Sequence, residues 1–161
     1  MIDSSRPLLV YRVVTAADAA HAYSGEESLA DGGRWSVPGH RVVYAAGSLA
    51  LAALEALVHL DGPPGRRRFA WVPARVPADI SRERCRRPPA NWNARPPPPS
   101  TRRVGTRWLR TGRSAVMAVP SAVVPSELNY LLAREHADFA RIEIGRPRPF
   151  SFDPRLRPAA E

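Results

Sequence analysis

Apolar and polar positions along this chain fall into short strand-like and helix-like segments in alternation. PLLVYRVV (7–14) is rich in β-branched residues and predicts a strand. It runs into TAADAAHAY, where Thr15 and Asp18 form a capping-box-like helix start. SGEESLADGG (24–33) reads as a polar loop closed by glycines. HRVVYAA (40–46), reached through the Pro38-Gly39 turn, predicts a second strand. Ser48 then caps the helix LALAALEALVHL, which Gly62-Pro63-Pro64-Gly65 stops. RRRFAWVPARVP (66–77) suggests a third strand that Pro73 and Pro77 push towards a sheet edge. An Arg/Pro-rich connection over 81–104 follows, read as a long, partly extended internal loop. TRWLRTG (106–112) suggests a short helix, and SAVMAVPSAVV (114–124) an apolar strand interrupted at Pro120. SELNYLLAREH (126–136) is patterned as a helix capped by Ser126, and ARIEIG (140–145) alternates as a final strand. No internal repeat is present. The interleaving predicts one α+β domain over 1–161, with the strand order left open.

One position interrupts the pattern. Glu55 is a carboxylate inside an otherwise apolar helix, on a stripe with Ser48, Ala52 and His59. It is either an exposed residue in a weak i,i+4 pair with His59, or a working group facing a gap that small Ala52 leaves open. Upstream, Arg34 follows two glycines and precedes Trp35. Such a loop approaches a ligand closely, and a guanidinium there suits pyrophosphate; it could equally lie over Trp35. Tyr44 on the second strand could be a site residue or plain core. Short connections keep the three close together.

Charge narrows the partners. The net charge is +9, and all 24 basic residues are arginines. Residues 66–113 hold 14 of them against Asp79 and Glu83, so the excess belongs to one segment, which could meet phosphates or an acidic protein. RRVGTRWLRTGR (102–113) also mixes Arg with Trp, as nucleic-acid binders do, although a solvated Arg-rich face explains it as well. Cys85 stands alone, so neither a disulfide nor a thiolate metal site is expected. The histidines lack HxxxH spacing, and no metal is expected. There is no GxGxxG, no GxxxxGK[ST], and no GxSxG around Ser121. No apolar run is long enough for a membrane span, the N-terminus does not read as a secretory signal, and a cytoplasmic location without membrane contact is expected.

Taken together, YR at 11–12, GGRW at 32–35, G-x-x-VVYAA at 39–46, LAALEALVH at 51–59, VPSAVVPSELNYL at 119–131 and DFARIEI…PFSFDPRL at 138–156 resemble the RES-domain family, named for its Arg, Glu and Ser. The resemblance is in order and nearly full length. It implies a bacterial toxin of a toxin–antitoxin pair, with a compact mixed α/β fold similar to ADP-ribosyltransferase toxins around an NAD-binding cleft. The family's named residues fall on Arg34, Glu55 and Ser121, with Tyr44 and Arg12 as further NAD-binding positions. The implied substrate is NAD+, cleaved by hydrolysis or phosphorolysis; the alternative is transfer of ADP-ribose to a protein. The implied partner is an antitoxin with a helix-turn-helix domain that blocks the cleft, forms a hetero-oligomer and alone brings it to DNA. A third reading is a non-catalytic nucleic-acid binder using residues 66–113.

This chain departs from the family pattern at Ser36, where Asn is common, and at 133–137, where an Asn-Pro-x-His-Pro pattern is replaced by Ala-Arg-Glu-His-Ala. In the implied chemistry Arg34 clamps pyrophosphate and Tyr44 stacks on nicotinamide or its ribose. Glu55 holds the ribose and stabilises positive charge, Ser121 hydrogen-bonds the nicotinamide side, and Arg12 assists with phosphate or positions Glu55.

Overall fold

The strands expected at 7–14 and 66–77 pair with each other along their full length. In this computed structural model, which describes residues 3–62 and 64–156, β1 (Leu8–Thr15) runs antiparallel to β3 (Phe69–Val76), with Leu8 opposite Val76 and Thr15 opposite Phe69. Pro63, part of the expected helix stop, lies outside the described residues. The other strands are β2 (Val42–Ala46), β4 (Arg82–Arg84), β5 (Val116–Pro120), β6 (Leu128–Ala133), β7 (Glu143–Ile144) and β8 (Arg148–Phe150). They form one mixed sheet in the order β4-β5-β6-β2-β1-β3-β7, with β8 also on β3. The helices are α1 (Glu26–Asp31), α2 (Leu49–Val58) and α3 (Pro99–Thr111). The α+β architecture is the one the sequence predicts.

The sheet has one weak seam. β1 and β2 share only the Tyr11–Ala46 pair in register, whereas β2 and β6 pair from Val42–Ala133 to Ala46–Asn129. Beyond Tyr11 and Ala46 the two strands diverge, and the space between them becomes a cleft. Core residues cover both faces: Val10, Val43, Val116 and Leu132 on one, Trp35, Val42, Trp108 and Leu131 on the other. A third cluster, Val13, Ala46, Leu51 and Phe69, docks α2 beside the seam. Leu51 is 1% exposed there, a burial of about 1.5–3 kcal/mol.

Several sequence expectations change. SELNYLLAREH is not a helix. Its centre is β6, between β5 and β2, and Tyr130–Ala133 are buried on both sides, so no polar alternation marks the strand. The Arg/Pro connection is shorter than 81–104, because β4 occupies Arg82–Arg84 and α3 begins at Pro99. Pro98 is the N-cap and Pro99 the first helical residue, where a missing N–H costs no hydrogen bond. The polar loop 24–33 contains α1, and the segment after Thr15 is a 3-10 turn, Ala16–His21, rather than an α-helix. The strand expected last, at 140–145, shortens to β7 and is followed by β8. Pro73 sits inside β3 opposite Tyr11, between the stretches that pair with β7 and with β8.

Candidate active site

A cleft of about 730 Å³ opens at the seam, within the roughly 300–1,000 Å³ usual for small-molecule sites. Its lining includes Arg12 from β1, Arg34 from the glycine loop, Tyr44 from β2, Glu55 from α2 and Asn129 from β6. Ala52, Glu55 and His59, the stripe read from helical periodicity, all face it. Ser48 caps α2 as expected, its hydroxyl accepting from Leu51 N at 3.1 Å. His59 does not pair with the Glu55 carboxylate; its Nδ1 lies 2.7 Å from the Glu55 main-chain oxygen.

Glu55 is half-buried and held on one side only. Its Oε1 accepts from Ser121 Oγ at 2.7 Å and from Asn129 Nδ2 at 2.6 Å. Two neutral donors fix the carboxylate without a neutralising ion pair, so its negative charge is available to the cleft. Ser121 itself is 0% exposed and does not line the cleft. Its oxygen also accepts from Val123 N and Val124 N, at 3.1 and 3.0 Å. The expected bond from Ser121 to the nicotinamide side is therefore corrected: the hydroxyl is enclosed, and it orients Glu55.

Arg34 is also tethered. Its Nη1 donates to the carbonyls of Trp92 and Ala94, at 3.0 and 2.7 Å, both in the Arg/Pro connection. Nε and Nη2 have no protein partner among the described residues. Burial first, then neighbouring Arg95, lowers its pKa, while Glu55 and Tyr44 oppose that shift. A guanidinium crowded by a second cation, with free donors, is poised for an anion.

The loop that carries Arg34 rests on two supports. Beneath it, the Tyr44 hydroxyl accepts from Trp35 N at 3.2 Å and bonds Ser36 Oγ at 2.7 Å. A Cβ on Gly33 would lie 2.5 Å from that hydroxyl, which is why glycine is needed. Ser36, where Asn is common in the family pattern, is thus a fully buried partner of Tyr44. On the other side stands α3. Thr101 Oγ1 donates to Arg34 O at 2.5 Å, and Arg102 Nε to Gly33 O at 3.0 Å. Gly105 packs flush on the Trp35 main chain.

Arg12 lines the cleft, but its guanidinium donates to Ala22 O and lies 3.6 Å from Glu27 Oε2, so it does not position Glu55. His136 is outside the cleft: it caps the turn Ala137–Arg141 by accepting from Asp138 N at 3.0 Å. Among the described residues no group of His, Cys, Asp and Glu could hold a metal ion. No helix there is long and apolar enough to cross a membrane.

Asn129 is the site residue that the sequence reading missed. Its signal, one amide in an apolar run, has meaning only once the run is a strand. Asn129 then shares a face with Leu131 and sits opposite Ala46 on one side and Val119 on the other. Its Oδ1 is buried without a partner.

Comparison with known proteins gives the family and the fold. A family model described as "RES domain" matches residues 9–153. A protein named "Toxin Res" from Yersinia enterocolitica is 34% identical over 93% of this chain and all of its own length. A "Prs ADP-ribosylating toxin" from Sphingobium sp. is 36% identical over 91% of this chain and 94% of its own. Among solved structures, the crystal structure of the M. tuberculosis MbcT-MbcA toxin–antitoxin complex contains a chain with the same fold. That chain matches with a TM-score of 0.72 at 15% identity, covering 91% of this chain and 85% of its own. With a family match across the whole sheet and relatives above 30% identity along nearly their full length, this chain belongs to the RES-domain family of toxins.

Proposed function

We propose that this toxin cleaves NAD+ at the bond between nicotinamide and ribose, depleting the cell of NAD+. The observation that carries the reading is Glu55, held from one side by Ser121 and Asn129 and facing a cleft that also presents Arg34. Of the other acids in the lining, Glu26 and Glu27 pair with Arg41 and Arg12, and Asp18 accepts from Thr15 Oγ1. In the reaction the C1′–N bond breaks and its electron pair returns to the pyridinium ring. Nicotinamide therefore departs neutral and needs no general acid. The ribose develops positive charge at C1′, which one fixed carboxylate stabilises. Glycosidases that expel an alkoxide use two carboxyl groups; here Glu26 and Glu27 are taken up by arginines and Glu55 alone is held by Ser121 and Asn129, which suits a leaving group that takes no proton.

Glu55 meets the ribose and stabilises the cation or accepts the proton of an incoming hydroxyl. Arg34 offers Nε and Nη2 to the pyrophosphate, and the Tyr44 ring lies against the nicotinamide or its ribose. Arg12 adds positive charge for phosphate. The oxygen that joins C1′ comes from water or phosphate, and its proton leaves to solvent or to Glu55.

A second acceptor, a protein side chain, is favoured by one observation: the Sphingobium relative is named an ADP-ribosylating toxin. The partner, in either reading, is an antitoxin carrying a helix-turn-helix domain that covers the cleft. The likeness to a chain of a toxin–antitoxin complex supports the antitoxin.

The test is to incubate the purified chain with NAD+, with and without phosphate, and to weigh the products. Free nicotinamide with ADP-ribose, or with its 1-phosphate when phosphate is present, is expected, and Glu55→Gln should abolish it. Full turnover in Glu55→Gln would overturn the site, and a labelled protein band with little free ADP-ribose would favour transfer.

A further inference from the structure

A second depression, of about 740 Å³, lies on the outer face of α3. It is lined by Arg102, Arg103, Thr106, Arg107 and Arg110, with an apolar rim of Val37, Pro97 and Pro99. Arg103, Arg107 and Arg110 are exposed at spacings of three and four residues and so share one helical face. None of the three has an ion pair or hydrogen bond among the described residues, although acids elsewhere on the surface are paired. Arg102 and Arg103 also lie near the positive end of the helix dipole, where cations are disfavoured. Within this repelling row, Thr106 is 9% exposed and its Oγ1 is buried without a partner.

We infer that this groove binds an acidic, apolar-bearing segment of a protein partner. Four cationic side chains call for carboxylates, and the rim of Val37, Pro97 and Pro99 calls for apolar side chains between them. A single-stranded nucleic acid is held largely by exposed aromatic faces that stack on its bases. Trp108, which gave the sequence that appearance, is 5% exposed, and its Nε1 donates to Ser114 Oγ at 2.8 Å. Trp35 is 2% exposed. No aromatic residue lines the groove. Pro97 and Arg102 line both depressions, so a segment lying along α3 leads directly to the mouth of the cleft that holds Arg34. The same helix face thus gives a partner a path to the site without touching Glu55.

The test uses the full chain and a fluorescein-labelled synthetic peptide of repeating Glu-Glu-Leu-Leu, as long as α3. Fluorescence anisotropy compares it with an all-Glu peptide of the same length and a single-stranded oligonucleotide of the same net charge. The Glu/Leu peptide should bind tightest. The Arg107→Gln/Arg110→Gln double variant should weaken it by about tenfold, and Arg103→Gln severalfold, with thermal midpoints reported for each. Arg103, exposed and without an ion pair among the described residues, serves through Arg103→Gln if the double variant fails to fold. An oligonucleotide binding as tightly as the Glu/Leu peptide, or binding of that peptide unchanged in both variants, would overturn the inference. Because the readout is binding, it stands or falls independently of NAD+ cleavage.

Discussion

The Ser121 hydroxyl donates to Glu55 Oε1 at 2.7 Å, joining residues 66 positions apart. The same oxygen collects the N–H groups of Val123 and Val124, so the turn after β5 and the carboxylate on α2 are fixed by one atom. Ser121→Ala removes the acceptor of two amides and a donor to Glu55. We expect a stability loss of roughly 1–3 kcal/mol, and NAD+ turnover reduced about ten- to a hundredfold. The reduction should fall on kcat more than on KM, since Ser121 does not reach the cleft. Steady-state kinetics beside urea denaturation would separate the two effects. A variant of normal kcat would show that Glu55 needs no such support.

Asn129→Asp tests the other donor. It replaces an amide 2.6 Å from Glu55 Oε1 with a second carboxylate. Two carboxylates at that separation do not both ionise readily, so the acid limb of the pH–rate profile should move to higher pH and turnover at neutral pH should fall. Asn129→Gln, which keeps an amide, should retain the parent profile at reduced rate. An unmoved acid limb in the Asp variant would mean that the carboxylate at 55 is not the group that must be charged.

How much of this was open to inspection in the chain itself depended on the range of the interaction. The Ser48 cap and the stripe of Ala52, Glu55 and His59 follow from local helical geometry, and both are as read. So does the loop–strand–helix run that brings Arg34, Tyr44 and Glu55 to one cleft. What local patterns do not carry is contact across long sequence separations. Arg34 is held by Trp92 and Ala94, 58 and 60 residues away. β6 looked helical because burial on both faces erases the alternation that marks a strand. α3 was cut short because prolines read as breakers, although at the N-cap and first turn they start helices.

Tyr44 makes stability depend on alkaline pH. Burial, opposed mainly by its bonds to Ser36 and Trp35, pushes its hydroxyl from 10.0 up to about 12. The folded chain therefore holds this proton more tightly than the unfolded chain. Its contribution is fully present below pH 10 and is lost as pH rises from 10 towards 12. Urea midpoints measured across that window should fall with pH, and less steeply in Tyr44→Phe. Tyr23 and Tyr130, also raised by burial, leave a residual slope. At neutral pH Tyr44→Phe should cost about 1–3 kcal/mol, because Trp35 N and Ser36 Oγ lose a buried partner. A parent slope identical to that of the variant would contradict the burial of this hydroxyl.

Gly105 carries the largest expected effect of a single methyl group. A Cβ at this position would stand 1.6 Å from the Trp35 carbonyl oxygen and 2.7 Å from its carbon. Those atoms are backbone, which no rotamer change moves, so Gly105→Ala must drive α3 away from the GGRW loop. Two further bonds then stretch, Thr101 Oγ1 to Arg34 O and Arg102 Nε to Gly33 O. Alanine ordinarily stabilises a helix interior by about 1 kcal/mol over glycine. Here overpacking, at about 3 kcal/mol or more, outweighs that gain. The thermal midpoint should drop by about 2–4 °C for each kcal/mol lost in a chain of this size. NAD+ cleavage should fall further than the folded fraction, because the shift displaces Arg34. Calorimetry and turnover measured on the same sample give both numbers. Undiminished stability would show that α3 does not rest on Trp35, and lost stability with full turnover of the folded fraction would show that Arg34 does not depend on it.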